Sequence, residues 1–187
     1  MQQLLYYDRY FFTLINWKWQ NNLFDTILPI LRSSICWLPL YLFLLVFALC
    51  NFKRNIFWWV CFAAGTAILT DFISSELIKE NFFRTRPFND PFLIGKSRML
   101  LGYSPSSSSF TSSHATNHFG LATFFYFTLS PYFGKWSLVF FLWAIIICYA
   151  QVYVGVHYPL DVIVGGVIGC IFGYLTSRSF NKQFSLA

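Results

Sequence analysis

Three short clusters in this chain combine the residue types that phosphate chemistry needs. Lys79 is followed after six residues by Arg86-Pro87. Thr111-Ser112-Ser113-His114 opens an apolar run. Ala150-Gln151, five residues, His157, three residues and Asp161 span the junction of two others. Lysine and arginine neutralise a phosphate, and free backbone N–H groups at a helix start (here Ser112 to His114) add donors and a favourable dipole. One histidine can attack phosphorus while the other protonates the leaving oxygen, with Asp161 fixing the tautomer of the attacking ring. If the run beginning near His157 is helical, residues i and i+4 share a face and His157 meets Asp161. Pro159 is compatible with a first helical turn, where no intrahelical donor is required.

The elements that must position these clusters are membrane helices. Of the 187 residues, 57% are hydrophobic and 22% aromatic, only 11% are charged, and the mean hydropathy is +0.54. That composition exceeds what a soluble domain of this length requires. Five spans are predicted: Ser33 to Phe52, Ile56 to Ile78, Ala115 to Phe133, Trp136 to Val156 and Tyr158 to Thr176. Residues 3 to 32 are aromatic-rich but broken by Asp8, Arg9, Lys18, Asp25 and Arg32. They read as two short helices lying in the interface, with tryptophan and tyrosine at headgroup level. The expected class is therefore all-α: an integral membrane bundle forming one domain over 1–187. It divides into interfacial helices (1–32), a helical core (33–177) and a cytoplasmic tail (178–187).

Loop charge sets the orientation. Lys53 and Arg54, Lys135, and Arg178 with Lys182 fall on one face, which the positive-inside rule places in the cytoplasm. The N-terminus, the long loop from Lys79 to Ser113 and the turn at His157 then lie outside. Lys79, Arg84, Arg86, Lys96 and Arg98 sit in that outer loop against the rule, and an anionic ligand would account for them. A net charge of +6 does not point to nucleic acid, because the cations form no stripe or basic helix. The five cysteines lack paired spacing and read as small buried hydrophobes. No cleavable signal sequence is expected. Ser106 to Ser109 and their neighbours have the composition of a flexible linker or a mobile rim. Gly165, Gly169 and Gly173 make small-xxx-small steps suited to close packing within the chain.

In order and spacing the three clusters resemble the signature of the type 2 phosphatidic acid phosphatase superfamily, Lys-x6-Arg-Pro, Pro-Ser-Gly-His and Ser-Arg-x5-His-x3-Asp. The resemblance covers about Ser33 to Thr176 and is strongest to small bacterial members similar to undecaprenyl-diphosphate phosphatases. It implies an acid phosphatase/vanadium haloperoxidase-like core and a metal-independent hydrolase without cofactor, acting on a lipid phosphate held in the inner membrane. It implies His157 as the nucleophile that becomes a phosphohistidine, Asp161 as its orienting partner and His114 as general acid. Lys79, Arg86, Ser112 and Ser113 would hold the phosphate. Thr111 and Ser113 replace a proline and a glycine of the pattern, and Ala150 replaces a serine. Gln151 stands where the pattern has arginine, so a charged bidentate ligand becomes a neutral amide. Losing such a bond costs on the order of 1.5–3 kcal/mol, which Arg84 or Arg98 from the outer loop could restore.

Competing readings start from the same residues. His114 and His118 on one helix face suggest a metal pair, but a zincin needs glutamate where Ala115 stands, so His118 is expected to pack or support beside Asn117. A Ser113–His157–Asp161 triad lacks a nucleophile elbow and leaves Lys79 and Arg86 idle. Asp71 and Glu76 are expected near the outer interface as structural polar groups. The substrate reading is undecaprenyl diphosphate, with phosphatidylglycerophosphate, phosphatidic acid and lipid A phosphates as alternatives. A weakened member that binds or scaffolds lipid phosphate without turnover is the alternative Gln151 raises; a transporter is disfavoured by the lack of a charged path through the spans.

Overall fold

Inside lipid a backbone N–H or C=O has no water to bond, so an apolar run of this kind closes its hydrogen bonds within itself as a helix. The computed structural model of the chain describes residues 2–52 and 55–184, and all regular structure among them is helical. In chain order the helices are α1 (Gln2–Thr13), α2 (Asn22–Leu31), α3 (Leu38–Asn51), α4 (Ile56–Phe72), α5 (Ser113–Phe133), α6 (Val139–Tyr153) and α7 (Pro159–Gln183). Lys53 and Arg54, on which part of the charge argument rests, lie outside the described residues. Four stretches are long and apolar enough to cross a membrane: Ser34–Asn51, Ile56–Ile78, Ser113–Tyr153 and Pro159–Gln183. The third breaks at a 3-10 turn, Gly134–Leu138, into α5 and α6, which fold back against each other. The last extends beyond its expected end at Thr176, so the start of the expected tail is helix.

Helix α5 lies at the centre, packed on α4, α6 and α7. Its seam with α7 is made by small residues. A Cβ on Gly169 would overlap the Thr116 carbonyl and the Gly120 amide, and one on Gly173 would overlap the Gly120 carbonyl. The expected glycine steps thus join α7 to α5, within the chain. Hydroxyls on α4 tie it to both helices of the seam: Thr66 Oγ1 donates to Thr176 Oγ1 of α7 at 2.8 Å and Thr70 Oγ1 to Asn117 Oδ1 of α5 at 2.9 Å. Below them Trp59, Phe124, Phe125, Leu129, Phe140 and Phe180 fill an aromatic core. Leu42, Phe57, Ile68, Ile163 and Ile171 are exposed on the bundle's flanks, as lipid-facing positions should be.

The N-terminal segment forms two short helices whose charges reach the loop after α4. A π-helical turn, Leu14–Lys18, continues α1, and three of the charges that break the apolar pattern, Asp8, Arg9 and Asp25, close ion pairs. Asp8 is buried at 6% exposure and accepts from Arg84, while Arg9 pairs with Asp90 at 2.7 Å and Asp25 with Arg98 at 2.7 Å. These pairs clamp α1 and α2 onto the loop after α4. Their cause is electrostatic: a carboxylate withdrawn from water requires a cation, and that loop is rich in them.

The glycine seam is testable by thermal unfolding in detergent. Gly169→Ala should destabilise by roughly 1–3 kcal/mol, because backbone and not a mobile side chain meets the new methyl. Gly65→Ala, where an added Cβ meets nothing within 4 Å, should leave Tm unchanged or raise it through helix propensity. Equal Tm values for the two variants would remove close packing as the basis of the seam.

Candidate active site

The site is assembled at the end of the bundle where α4 ends and α5 and α7 begin. Helix α7 starts at Pro159, so His157 precedes it and does not share a helical face with Asp161. The two still meet, because the turn after α6 brings His157 back over the first turn of α7. Gly155, at φ +94°, makes that turn, and a side chain there would collide with the Arg98 carbonyl. His157 is 4% exposed and its Nδ1 stands 3.6 Å from Asp161 Oδ2. That separation exceeds hydrogen-bond reach, and Nδ1 has no other partner. Burial holds the His157 imidazole below its ordinary pKa, against the opposing pull of Asp161.

Asp161 is fully buried and accepts three hydrogen bonds. Its Oδ1 accepts from Arg84 Nη1 at 2.5 Å; its Oδ2 accepts from Ser109 Oγ at 2.5 Å and from the Tyr158 amide at 2.9 Å. The last bond caps the start of α7. Arg84 also pairs with Asp8 and lies 4.1 Å from the centre of the Tyr158 ring. Its charge is therefore spent on two carboxylates, and it acts on the site through Asp161. Arg98 is committed further, with both terminal nitrogens on Asp25 and Nε on the Asn16 carbonyl. Neither arginine is free to replace the motif cation, contrary to the expectation from sequence.

The remaining cations differ. Arg86 is buried, and its guanidinium donates to the carbonyls of Ser107, Ser108 and Val156 and to Ser107 Oγ. These four bonds leave one of its five N–H groups free and its charge unmatched by any carboxylate. Burial lowers its pKa from the ordinary value, against the opposing pull of the Asp161 carboxylate. Lys79 follows a π-helical turn, Ile73–Ile78, and donates to Ser113 Oγ at 2.6 Å. Ser74 and Ser75 bond the same hydroxyl at 3.0 and 3.1 Å. Burial, with the Arg86 charge second, brings the Lys79 ammonium down to about 8.

Ser112 is the N-cap of α5, its Oγ accepting from the Ala115 amide at 3.4 Å. The N–H groups of Ser113 and His114 fall in that helix's first turn, where no intrahelical acceptor exists. His114 is half-buried at the mouth of the helix. His118 lies beneath it, ring centres 6.1 Å apart, with Nδ1 2.7 Å from the His114 carbonyl and the ring against Trp143. Asn117 bonds Thr70 and Asp71, so both neighbours of His114 take supporting places. Gln151 is fully buried and neither atom of its amide has a partner.

The serine run is an ordered part of this site, not a linker. Ser108 Oγ bonds the Phe82 carbonyl and the Arg84 amide, the Ser109 amide bonds the Arg84 carbonyl, and Ser107 holds Arg86. Sequence reasoning passed over Asp8, Ser109 and Tyr158 as parts of the site. The available signal was Asp8 itself, since a carboxylate within an aromatic helix needs a buried partner.

The chain is 26% identical over 186 residues to "Lipid A 4'-phosphatase" of Porphyromonas gingivalis, covering 96% of this chain and 75% of that protein. It is 30% identical over 145 residues to "Undecaprenyl-diphosphatase" of Sulfolobus acidocaldarius, covering 75% of this chain and 61% of that protein. The fold is that of a transmembrane PAP2-type phosphatidylglycerolphosphate phosphatase from Bacillus subtilis. The TM-score is 0.71 at 18% identity, over 99% of this chain and 89% of the other. The sequence pattern of the PAP2 superfamily matches residues 56–185. That segment holds every residue from Lys79 to Asp161 just described, and the chain belongs to the PAP2 superfamily.

Proposed function

We propose that this membrane phosphatase releases phosphate from a lipid through His157, with lipid A 4'-phosphate as the substrate its relatives favour. The observation that carries the reading is a buried His157 whose Nδ1 stands 3.6 Å from the hydrogen-bonded Asp161 carboxylate, with Lys79 and Arg86 at the same end of the bundle. Undecaprenyl diphosphate remains the second substrate reading, supported by the archaeal relative's name.

In the proposed reaction, the phosphate sits between Lys79, the free N–H of Arg86 and the first-turn amides of α5. A shift of less than 1 Å would bring His157 Nδ1–H onto Asp161 Oδ2 and leave the Nε2 lone pair for phosphorus. As the Nε2–P bond forms, the bond from phosphorus to the lipid oxygen breaks, and protonated His114 gives that oxygen its proton. Water then attacks the phosphohistidine, His114 takes the water's proton, and inorganic phosphate leaves with His157 restored. The cations and amides meet negative charge as it spreads over the phosphoryl oxygens, which is where such donors accelerate most. The site is proposed to face away from the cytoplasm in the inner membrane, within one domain.

Two experiments check this reading. Detergent-purified protein should release inorganic phosphate from lipid A faster than from undecaprenyl diphosphate without added divalent metal. His157→Ala should abolish release, by at least about 10³-fold. If no lipid phosphate gives His157-dependent release, the reading is wrong. The second concerns pH. Lys79 loses its proton as pH rises through about 8, so kcat/KM should fall on that alkaline side. His157 stays neutral well into mild acid because its pKa is lowered. Lys79→Arg keeps its charge at all these pH values and should remove the alkaline fall; an unchanged profile would assign that limb to another group.

A further inference from the structure

Position 151 leaves the proposed phosphatase short of one cation, and the helix packed beside it, α2, ends in another. Three observations locate it. First, α2 packs against α6 around Gln151: Leu28 and Leu31 cluster with Ala150 and Tyr153, which flank it. Arg32 is the next residue, the C-cap of α2. Second, a chain of contacts ties that end of α2 to His114. Trp37 Nε1 donates to the Leu31 carbonyl at 2.7 Å, its ring meets Trp143, Trp143 meets His118, and His118 lies under His114. Arg32 is near enough to act electrostatically on the His114 ring and on Arg86.

Third, Arg32 is uncommitted. Arg9, Arg84 and Arg98 are each matched by a carboxylate. Among the described residues at this end of the bundle, Arg32 and Arg86 are the arginines that are not. The one hydrogen bond of the Arg32 guanidinium goes to a neutral phenol, Tyr103 Oη, at 3.2 Å, and its Nε is buried without a partner. A partly buried guanidinium with open donors and no counter-charge is a binding group for an anion.

We propose that Arg32 binds the substrate phosphate as the third cation of the site, supplying from α2 the charge that Gln151 lacks on α6. The inference rests on the phosphatase reading above and extends it to a residue outside the three sequence clusters. With Lys79 and Arg86 it would place a positive charge against each region of the phosphoryl group where negative charge accumulates.

The test uses the full-length protein in detergent, with lipid phosphate turnover and orthovanadate inhibition as readouts, on variants whose elution profile and Tm match wild type. Arg32→Gln keeps a donor for Tyr103 but removes the charge. It should lower kcat/KM roughly 10- to 100-fold and weaken orthovanadate inhibition in parallel. Gln151→Arg added to Arg32→Gln should recover about tenfold or more, since a cation is restored from the neighbouring helix. Tyr103→Phe should stay within about threefold of wild type. The inference is overturned if Arg32→Gln retains wild-type turnover, if Tyr103→Phe reproduces its loss, or if the loss persists with Gln151→Arg present. An active wild type dependent on His157 with an indifferent Arg32 removes this inference alone. A wild type inert towards every lipid phosphate removes the phosphatase reading itself.

Discussion

The Asp161 carboxylate is the constraint around which the site end of the molecule is arranged. A buried charge without partners is costly, and removing one partner of a buried pair typically costs about 3–5 kcal/mol. Asp161 draws its neighbours from three stretches of the chain. Arg84 comes from the loop after α4, Ser109 from the serine run, the Tyr158 amide from the start of α7, and His157 from the turn before it. Satisfying one carboxylate therefore fixes the loop, the serine run and the histidine together. Asp8 extends the same group by sharing Arg84 and accepting from the Leu160 amide, which ties in α1.

That arrangement would be of no use if α5 and α7 stood at ordinary helix separation. The seam at Gly169 and Gly173 lets the two backbones touch, and Gly165 continues it up to the Ser112 carbonyl. The Ser112 amide in turn donates to the Asp161 carbonyl at 3.2 Å. The start of α5, with His114 and its open amides, is thereby set against the start of α7. In lipid the gain comes from packing and hydrogen bonds between helices, not from hydrophobic association.

The distribution of charge separates structure from chemistry. Cations in the outer loop first suggest one large anion site, but Arg84 and Arg98 are neutralised by the protein's own carboxylates. At the site that loop supplies Lys79 and Arg86, to which α2 adds Arg32, and the three differ in how each is held. Arg86 is locked by backbone carbonyls, Lys79 by a cluster of hydroxyls, and Arg32 by a phenol alone. Rigidly held charges act without reorganisation when the phosphoryl group changes shape.

The sequence by itself determined the all-helical membrane class, the three clusters and their chemistry, because apolar run length and residue type are local properties. The starts of the last bundle helices were legible to within two residues, expected at Ala115 and Tyr158 and found at Ser113 and Pro159. The sequence also marked Gln151 as the position missing a charge. It misjudged what depends on partners distant in the chain. The serine run has a linker's composition, yet Ser107, Ser108 and Ser109 are fixed by Arg86, Arg84 and Asp161. Asp8, Arg9 and Asp25 looked like interfacial charges, yet each closes an ion pair over 70 residues away. The contact between His157 and Asp161 was expected for the wrong reason, since a turn and not a helical face joins them. Only the tertiary structure decided which cations are spent and which remain open, because an ion pair forms between neighbours in space.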